Sequence, residues 1–212
     1  MPDAPLLEGS YVRLEPLEPV HIGALLGAAQ GEAELFRWTT VPTTLAPMTH
    51  YVQTALRWRA EGTAQPFATV RRSDAAVVGS TRFFLIEHWP WPAEVAAAHP
   101  GPDGCEIGYT WLNSSAVRTP INTEAKLLML RYAFEAWGMQ RVCFHTDARN
   151  ERSRNALLRI GARFEGVLRA HRLQSYSFTR CSPRLRLVAI PALSPRIVCR
   201  RWPSSSGSFE SK

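Results

Sequence analysis

One short segment, residues 142–162, joins an apolar strand to a polar turn, an amphipathic helix and a glycine stop. Asn150 stands where it can cap the helix, and Ser153 falls one turn inside it, beside the exposed backbone amides. Three arginines crowd the same end: Arg149, Arg152 and Arg154. The segment therefore predicts one strand–helix unit, and a helix N-terminus surrounded by guanidinium groups favours a phosphorylated ligand.

The composition is typical of a globular domain. The chain has 212 residues, 45% of them apolar and 20% charged, which suffices for one sizeable core. The apolar run at residues 22–29 is too short to cross a bilayer, and no basic stretch precedes a cleavable apolar segment. The four cysteines form no CxxC pair, and the six histidines show no metal-ligand spacing. We expect a cytoplasmic protein without a metal or a membrane partner.

The net charge of +7 belongs to the end of the chain. Residues 1–168 carry 16 Lys and Arg against 17 Asp and Glu, whereas residues 169–212 carry 9 Lys and Arg against Glu210 alone. A protein that binds nucleic acid is expected to carry its positive charge on the folded body. The charge distribution therefore argues against a nucleic-acid partner.

Hydrophobic periodicity divides the rest of the chain into strands and helices. Alternating or apolar runs predict strands at residues 11–17, 67–71, 77–86, 105–112, 141–146, 164–173 and 184–190. Helical periodicity predicts helices at residues 19–30, 48–60, 123–137 and 151–160. Residues 88–104, rich in Pro, Ala and Trp, are expected to form a long loop. This order predicts an α/β protein with a mixed sheet and helices on its faces.

Three segments resemble the GNAT superfamily of N-acetyltransferases: the strand 106–112, the helix with its entry loop at 118–135, and the stretch from Asn150 to residue 169. The likeness covers roughly residues 6–173 and is greatest to the RimJ/RimL branch, the ribosomal-protein N-terminal acetyltransferases. It implies a GNAT-like fold, with a central, mostly antiparallel sheet that splays at the cofactor site and helices on both faces.

The resemblance implies acetyl-CoA as acyl donor and a primary amine as acceptor. In the family, the pantetheine arm of the donor lies between two splayed strands and pairs with the backbone of the first, so Tyr109, Thr110 and Trp111 would line it here. The pyrophosphate would then lie at the helix that begins near Thr123, rather than at the arginine-rich helix end.

The loop before that helix departs from the family. It is usually glycine-rich, because residues without a Cβ allow close backbone approach to phosphate. Residues 118–123 contain no glycine, and Pro120 has no N–H to offer. We expect Arg118 and the hydroxyls of Thr119 and Thr123 to replace the lost contacts, with Asn122 also at the cofactor.

Acetyl transfer needs a base, since only a neutral amine attacks a thioester, and a proton donor for the departing thiolate. The resemblance assigns the base to Glu106, the donor to Ser153 and a cofactor contact to Asn150. The alternatives are a salt-bridge or strand residue for Glu106, and a plain helix cap and first-turn residue for the other two. His145 is expected to pack beside the cleft or tune it, not to act as base.

The acceptor is less well defined. We expect Trp38 and Trp89 to wall its site, because an aromatic face can hold a cationic amine; the alternative is ordinary packing. The acceptor could be a protein N-terminus or a small molecule, and the donor another acyl-CoA such as succinyl-CoA. A non-catalytic module that binds CoA or a partner is the competing class, and a homodimer stays open.

The resemblance fades after Leu173, where the charge also changes. We expect residues 1–190 to form a single GNAT-like domain and residues 191–212, which are basic and rich in Ser and Pro, to be a poorly ordered tail. Two explanations of residues 174–212 stay open: a divergent tail that binds an acidic partner, or a frame-shifted end.

Overall fold

The structure is a computed structural model that describes residues 5–32, 34–98, 100–173 and 181–189. The strands are β1 (Leu7–Glu8), β2 (Val12–Pro16), β3 (Ala64–Arg71), β4 (Val77–Glu87), β5 (Gly104–Leu112), β6 (Arg141–Asp147), β7 (Arg163–Leu173) and β8 (Cys181–Ala189). The helices are α1 (Ile22–Ala29), α2 (Leu45–Ala60), α3 (Ala93–Ala98), α4 (Ile121–Arg131) and α5 (Glu151–Arg159). Within these residues, no helix is both long and apolar enough to span a membrane.

All eight strands form one sheet in the order β1-β2-β3-β4-β5-β6-β8-β7. Strands β5 and β6 pair in parallel, and every other neighbouring pair in this described sheet is antiparallel. The connection from β5 to β6 runs through α4, as a parallel crossover requires. The predicted mixed, mostly antiparallel sheet is therefore confirmed.

Helices cover both faces of the sheet. Phe67 on β3 belongs to a core cluster with Met129 of α4 and Leu157 of α5, whereas its neighbour Ala68 belongs to a second cluster with Leu25 of α1 and residues of α2. Because successive strand residues point to opposite faces, the two clusters lie on opposite sides of the sheet. The prediction of helices on both faces is thus confirmed.

Several boundaries differ from those predicted. The helix expected at residues 123–137 begins at Ile121, because Pro120 (φ −61°) already has a helical backbone and directly precedes the first turn, where a missing N–H costs nothing. Its α-helical part ends at Arg131 and one turn of π-helix, Tyr132–Ala136, follows. The loop expected at residues 88–104 was wrong in part, since it contains α3.

One carboxylate of α4 fixes the first turn of the chain. Glu124 accepts hydrogen bonds from the backbone N–H groups of Ser10 (2.8 Å), Tyr11 (2.6 Å) and Val12 (2.9 Å). A Cβ at Gly9 would lie 2.4 Å from the carboxylate carbon, so a side chain there would displace the Glu124 carboxylate. The start of the sheet is therefore tied to the helix that the cofactor loop enters.

The poorly ordered tail expected at residues 191–212 lies outside the described residues, as do residues 174–180. The predicted closing pair of strands lies within them: β7 and β8 are antiparallel, with Arg163 opposite Val188 and Leu173 opposite Cys181. The prediction of a terminal strand pair is confirmed.

Candidate active site

The sheet opens between β5 and β6. Within the described chain these two strands pair at three positions, Gly104–Arg141, Cys105–Val142 and Glu106–Cys143. Beyond them β5 continues to Leu112 and β6 to Asp147, while each stays paired with its outer neighbour. The gap therefore closes at Glu106 and leaves the facing strand edges able to bind an extended ligand.

A β-bulge interrupts the pairing of β5 with its outer neighbour β4, along the part of β5 that no longer pairs with β6. Gly108 pairs with Arg82 and Trp111 with Ser80, so Tyr109 and Thr110 together face a single residue of β4. Tyr109 has φ +51°, a left-handed conformation that is uncommon for an aromatic residue. The bulge changes the direction of β5 where the family's donor arm is expected.

The side chains of Tyr109, Thr110 and Trp111, which were predicted to line the pantetheine arm, lie in different environments. Tyr109 is 41% exposed, whereas Trp111 is buried in the core and meets the ring of Phe36 edge-on at 5.6 Å. Thr110 contacts the Thr81 hydroxyl at 2.8 Å. For Thr110 and Trp111, the backbone is therefore the part that can pair with a ligand, and that pairing stays a prediction.

Two buried cations flank this bulge and were missed by the sequence reasoning. Lys126 of α4 donates hydrogen bonds from Nζ to the hydroxyls of Thr110 (2.7 Å) and Thr81 (2.9 Å), and burial lowers the pKa of its ammonium to about 7. From the opposite face, the Arg82 guanidinium lies 4.3 Å from the Tyr109 ring centroid. No carboxylate among the described residues pairs with either cation, and neither position carries a sequence signal that would have predicted burial.

Arg82 is enclosed by aromatic rings. Its guanidinium also lies 4.7 Å from the ring of Tyr51 and 5.5 Å from that of Trp58, both on α2. The residue is 1% exposed, and within the described structure its Nε and Nη2 have no hydrogen-bond acceptor. Cation–π contacts thus hold a charge that has lost its water.

A buried carboxylate and an imidazole meet at the closed end of the gap. Glu106 Oε2 lies 2.8 Å from His145 Nδ1, and both side chains are buried. They line one pocket of about 170 Å³ with Trp89 and the paired ends of β5 and β6. The structure therefore brings together the predicted base, the predicted acceptor wall Trp89 and His145.

The predicted phosphate-binding residues gather at the start of α4. Arg118 has φ +62°, so it adopts the conformation that a glycine would normally supply. The Thr119 hydroxyl donates to the Ala116 carbonyl (2.7 Å), and Arg159 of α5 reaches the Thr123 hydroxyl (3.5 Å). These residues, with Asn122 in the first turn, present a helix N-terminus that suits a phosphate.

The cap of α5 is confirmed. The Asn150 side chain accepts a hydrogen bond from the backbone N–H of Ser153 at 3.1 Å. Ser153 is half-buried in the first turn, directly after the end of β6. The structure therefore places both residues beyond the open end of the gap, and their contact with a donor stays a prediction.

The arginines at this helix end bind the protein itself. Arg149 pairs with buried Asp147 (2.9 Å) and lies 4.9 Å from the Trp38 ring, while Arg152 donates to the Leu35 carbonyl (3.1 Å). Arg37 also lies 4.9 Å from the Trp38 ring. Trp38 thus packs against Arg149 in the turn before α5. Unlike Trp89, it is not among the residues around the Glu106 pocket.

The long loop is fixed to the sheet by one carboxylate. Asp103 is 5% exposed and accepts hydrogen bonds from the backbone N–H of Trp89 (2.7 Å) and the indole N–H of Trp91 (2.6 Å). Trp89 also donates from its indole to Glu87 (3.3 Å). Asp103 therefore positions Trp89 at the pocket.

The gap and the buried carboxylate at its closed end define an α/β protein with a cleft for an elongated ligand. Residues 12–163 match the acetyltransferase (GNAT) domain, and the chain belongs to that family. Among the described residues, no group of three or more His, Cys, Asp or Glu side chains could hold a metal ion.

Solved structures share the fold. A GCN5-related N-acetyltransferase from Brucella melitensis is 28% identical, with a TM-score of 0.74 over 89% of this chain and 80% of that one. A protein of T. thermophilus named as an acetyltransferase is 30% identical, with a TM-score of 0.69 over 87% and 88%. Mycobacterium smegmatis RimJ is 20% identical, with a TM-score of 0.72 over 87% and 84%, which shows the fold alone. No curated protein matches the chain.

Proposed function

We propose that this protein transfers an acetyl group from acetyl-CoA to a primary amine, by direct attack within a ternary complex. The observation that carries the proposal is the gap between β5 and β6, which closes at the buried carboxylate of Glu106. A ligand arm lying along the β5 edge would bring its reactive end towards that carboxylate. The GNAT family membership supports the same chemistry.

We assign each step of the reaction to a residue. The amine nitrogen attacks the thioester carbonyl carbon, an N–C bond forms, and the C–S bond breaks. The Glu106 carboxylate accepts the proton that the amine loses, and the Ser153 hydroxyl donates a proton to the departing thiolate and recovers one from water. The products are the N-acetylated acceptor and the free thiol of CoA.

The acyl donor, acetyl-CoA, would be held along the whole gap. Backbone groups of Tyr109 and Thr110 would pair with its arm, and the N-terminus of α4, with Arg118 and Thr119, would bind the pyrophosphate. Arg118 already has a left-handed backbone, so the glycine-free loop can turn as a glycine-rich loop would. Asn150 would contact the arm from the start of α5.

The acceptor is proposed to be a protein N-terminus, as in the RimJ/RimL branch. The proposal rests on the sequence segments that resemble this branch; M. smegmatis RimJ, solved with a CoA-disulfide, and a ribosomal-protein-S5-alanine acetyltransferase from Vibrio fischeri share the fold. Trp89 at the Glu106 pocket offers an indole face to the cationic amine before it loses its proton. We also propose that residues 1–190 form the catalytic domain.

Two measurements test the proposal. Calorimetry with acetyl-CoA and with succinyl-CoA measures donor binding, and a thiol-release assay measures turnover on peptides that begin with Ala or Ser and on small amines. Glu106→Gln is expected to lower kcat by about 100-fold or more and Ser153→Ala by about 10-fold or more. Glu135→Gln makes the same chemical change on an exposed carboxylate and should leave turnover unchanged.

The outcomes separate the function classes. Binding of acetyl-CoA without turnover of any amine would favour the non-catalytic module. Faster turnover with succinyl-CoA than with acetyl-CoA would reassign the donor. Full activity in both Glu106→Gln and Ser153→Ala would show that other groups move the protons.

A further inference from the structure

We propose that His145 is a positioning residue: its Nδ1 lies against Oε2 of Glu106 and so holds the other carboxylate oxygen towards the gap. This inference rests on the proposed function, in which Glu106 is the base. It goes beyond the sequence expectation, in which His145 packs beside the cleft or tunes it, because it names the residue that His145 acts on.

The sheet sets the contact between the two side chains. Glu106 is the last residue of β5 paired with β6, opposite Cys143, and His145 follows Cys143 by two positions. Residues two apart on a strand share a face, so His145 lies on the face of Glu106 and one step further into the gap. The 2.8 Å contact between Nδ1 and Oε2 therefore spans the point where the strands separate.

Glycine at position 108 marks the direction of the second oxygen. A Cβ at Gly108 would lie 3.6 Å from Glu106 Oε1 and 2.8 Å from Cε1 of Phe84. Gly108 lies on the part of β5 that no longer pairs with β6, next to the Tyr109 bulge. With Oε2 at His145, Oε1 thus lies over the strand edge where the thioester and the amine would meet.

Other groups around the pocket bind elsewhere. The guanidinium of Arg141 forms an ion pair with Glu165 and donates from Nε to Cys143 Sγ at 3.2 Å. The indole of Trp89 donates to Glu87. Arg141 and Trp89 thus have partners away from the Glu106 carboxylate, whereas His145 Nδ1 lies 2.8 Å from it.

Fixing one oxygen matters because a glutamate side chain has three rotatable torsions. A ring nitrogen 2.8 Å from one carboxylate oxygen restricts these torsions and can hold a single rotamer of the buried side chain. A base displaced by about 1 Å can cost about 100-fold in rate. Loss of the His145 contact should consequently slow proton removal and leave donor binding intact.

Two substitutions at one position test this. His145→Phe keeps a ring of similar size and removes the ring nitrogen that contacts Glu106, whereas His145→Asn keeps a side-chain nitrogen near the place of Nδ1. We expect His145→Phe to lower kcat about 10- to 100-fold with an unchanged KM for acetyl-CoA, and His145→Asn to recover most of that loss. Thermal melting of each variant establishes that it is folded.

Three results would overturn the inference. If His145→Phe turns over as fast as the natural protein, no positioning is needed. If folded His145→Asn is as slow as His145→Phe, the imidazole itself moves the proton. His145→Phe and Glu106→Gln each change the unfolding free energy. If the change in the double variant equals the sum of these two changes, the two side chains do not interact.

The comparison of unfolding free energies does not depend on enzymatic turnover. A natural protein that acetylates no amine refutes the proposed function, while the stability cycle still reports on the Glu106–His145 contact. The two failures are thus distinguishable.

Discussion

Replacing Lys126 by Met should make the stability of this protein respond differently to pH. Lys126 is 4% exposed, and its Nζ is held by the hydroxyls of Thr81 and Thr110. Burial lowers the pKa of its ammonium from 10.5 to about 7, because the charged form has lost its water. The two hydroxyls lie 2.8 Å apart, so they can bond each other once the ammonium is gone.

The direction of the pH effect on stability follows from the number of protons that the folded and the unfolded states bind. Between about pH 7 and pH 10.5 the unfolded chain keeps the Lys126 proton while the folded protein loses it, so the natural protein gains stability as the pH rises. Below about pH 7 both states hold the proton, and the full cost of the buried charge is present. The pKa difference corresponds to about 5 kcal/mol, of which about 2 kcal/mol is recovered between pH 7 and pH 9.

Urea unfolding over this pH range measures the effect. The unfolding free energy of Lys126→Met should exceed that of the natural protein by the largest amount near pH 6. This difference should shrink by about 2 kcal/mol from pH 7 to pH 9. Arg131→Met removes an exposed cation from the same helix and should show no such trend. An advantage of Lys126→Met that is equal at pH 6 and pH 9 would refute a buried, titrating ammonium.

Three further substitutions test other contacts. Glu124→Gln should lower the unfolding free energy by about 1–3 kcal/mol in urea, because a carboxamide cannot accept all three N–H bonds of the first turn; an unchanged midpoint would contradict that anchor. Asp103→Asn should speed proteolysis within residues 88–103 and leave the melting temperature little changed; equal cleavage rates would show that the loop is held by other contacts. Gly108→Ala should lower kcat about 10-fold or more, since the new Cβ would displace the Phe84 ring, which packs against Tyr109; undiminished thiol release would argue against catalysis at this edge.

Local sequence signals predicted the parts of the fold that local chemistry decides. Asn150 was expected to cap α5, and its side chain accepts the N–H of Ser153. Strand β1 carried no such signal, because two residues form a strand only through pairing with β2. The GNAT resemblance, rather than periodicity, predicted the splay of the sheet.

The candidate site also divides into residues that the sequence predicted and contacts that depend on the tertiary structure. Glu106 was predicted from its place on β5, whereas its contact with His145 depends on the parallel register of two strands that are distant in sequence. Lys126 was missed because a lysine on an amphipathic helix is expected at the solvent face. Its burial is set by Thr81 and Thr110 on the sheet, which helix periodicity cannot report.

These missed residues explain how the edge of β5 is held. A left-handed backbone at a residue such as Tyr109 costs roughly 1–2 kcal/mol and persists only where the surroundings impose it. Arg82 packs against the Tyr109 ring on one face of the sheet, and Lys126 bonds the next residue, Thr110, on the other. The two buried cations thus fix the bulge from both sides. The strand edge that we propose binds the acyl donor is therefore shaped by residues that need not touch the donor.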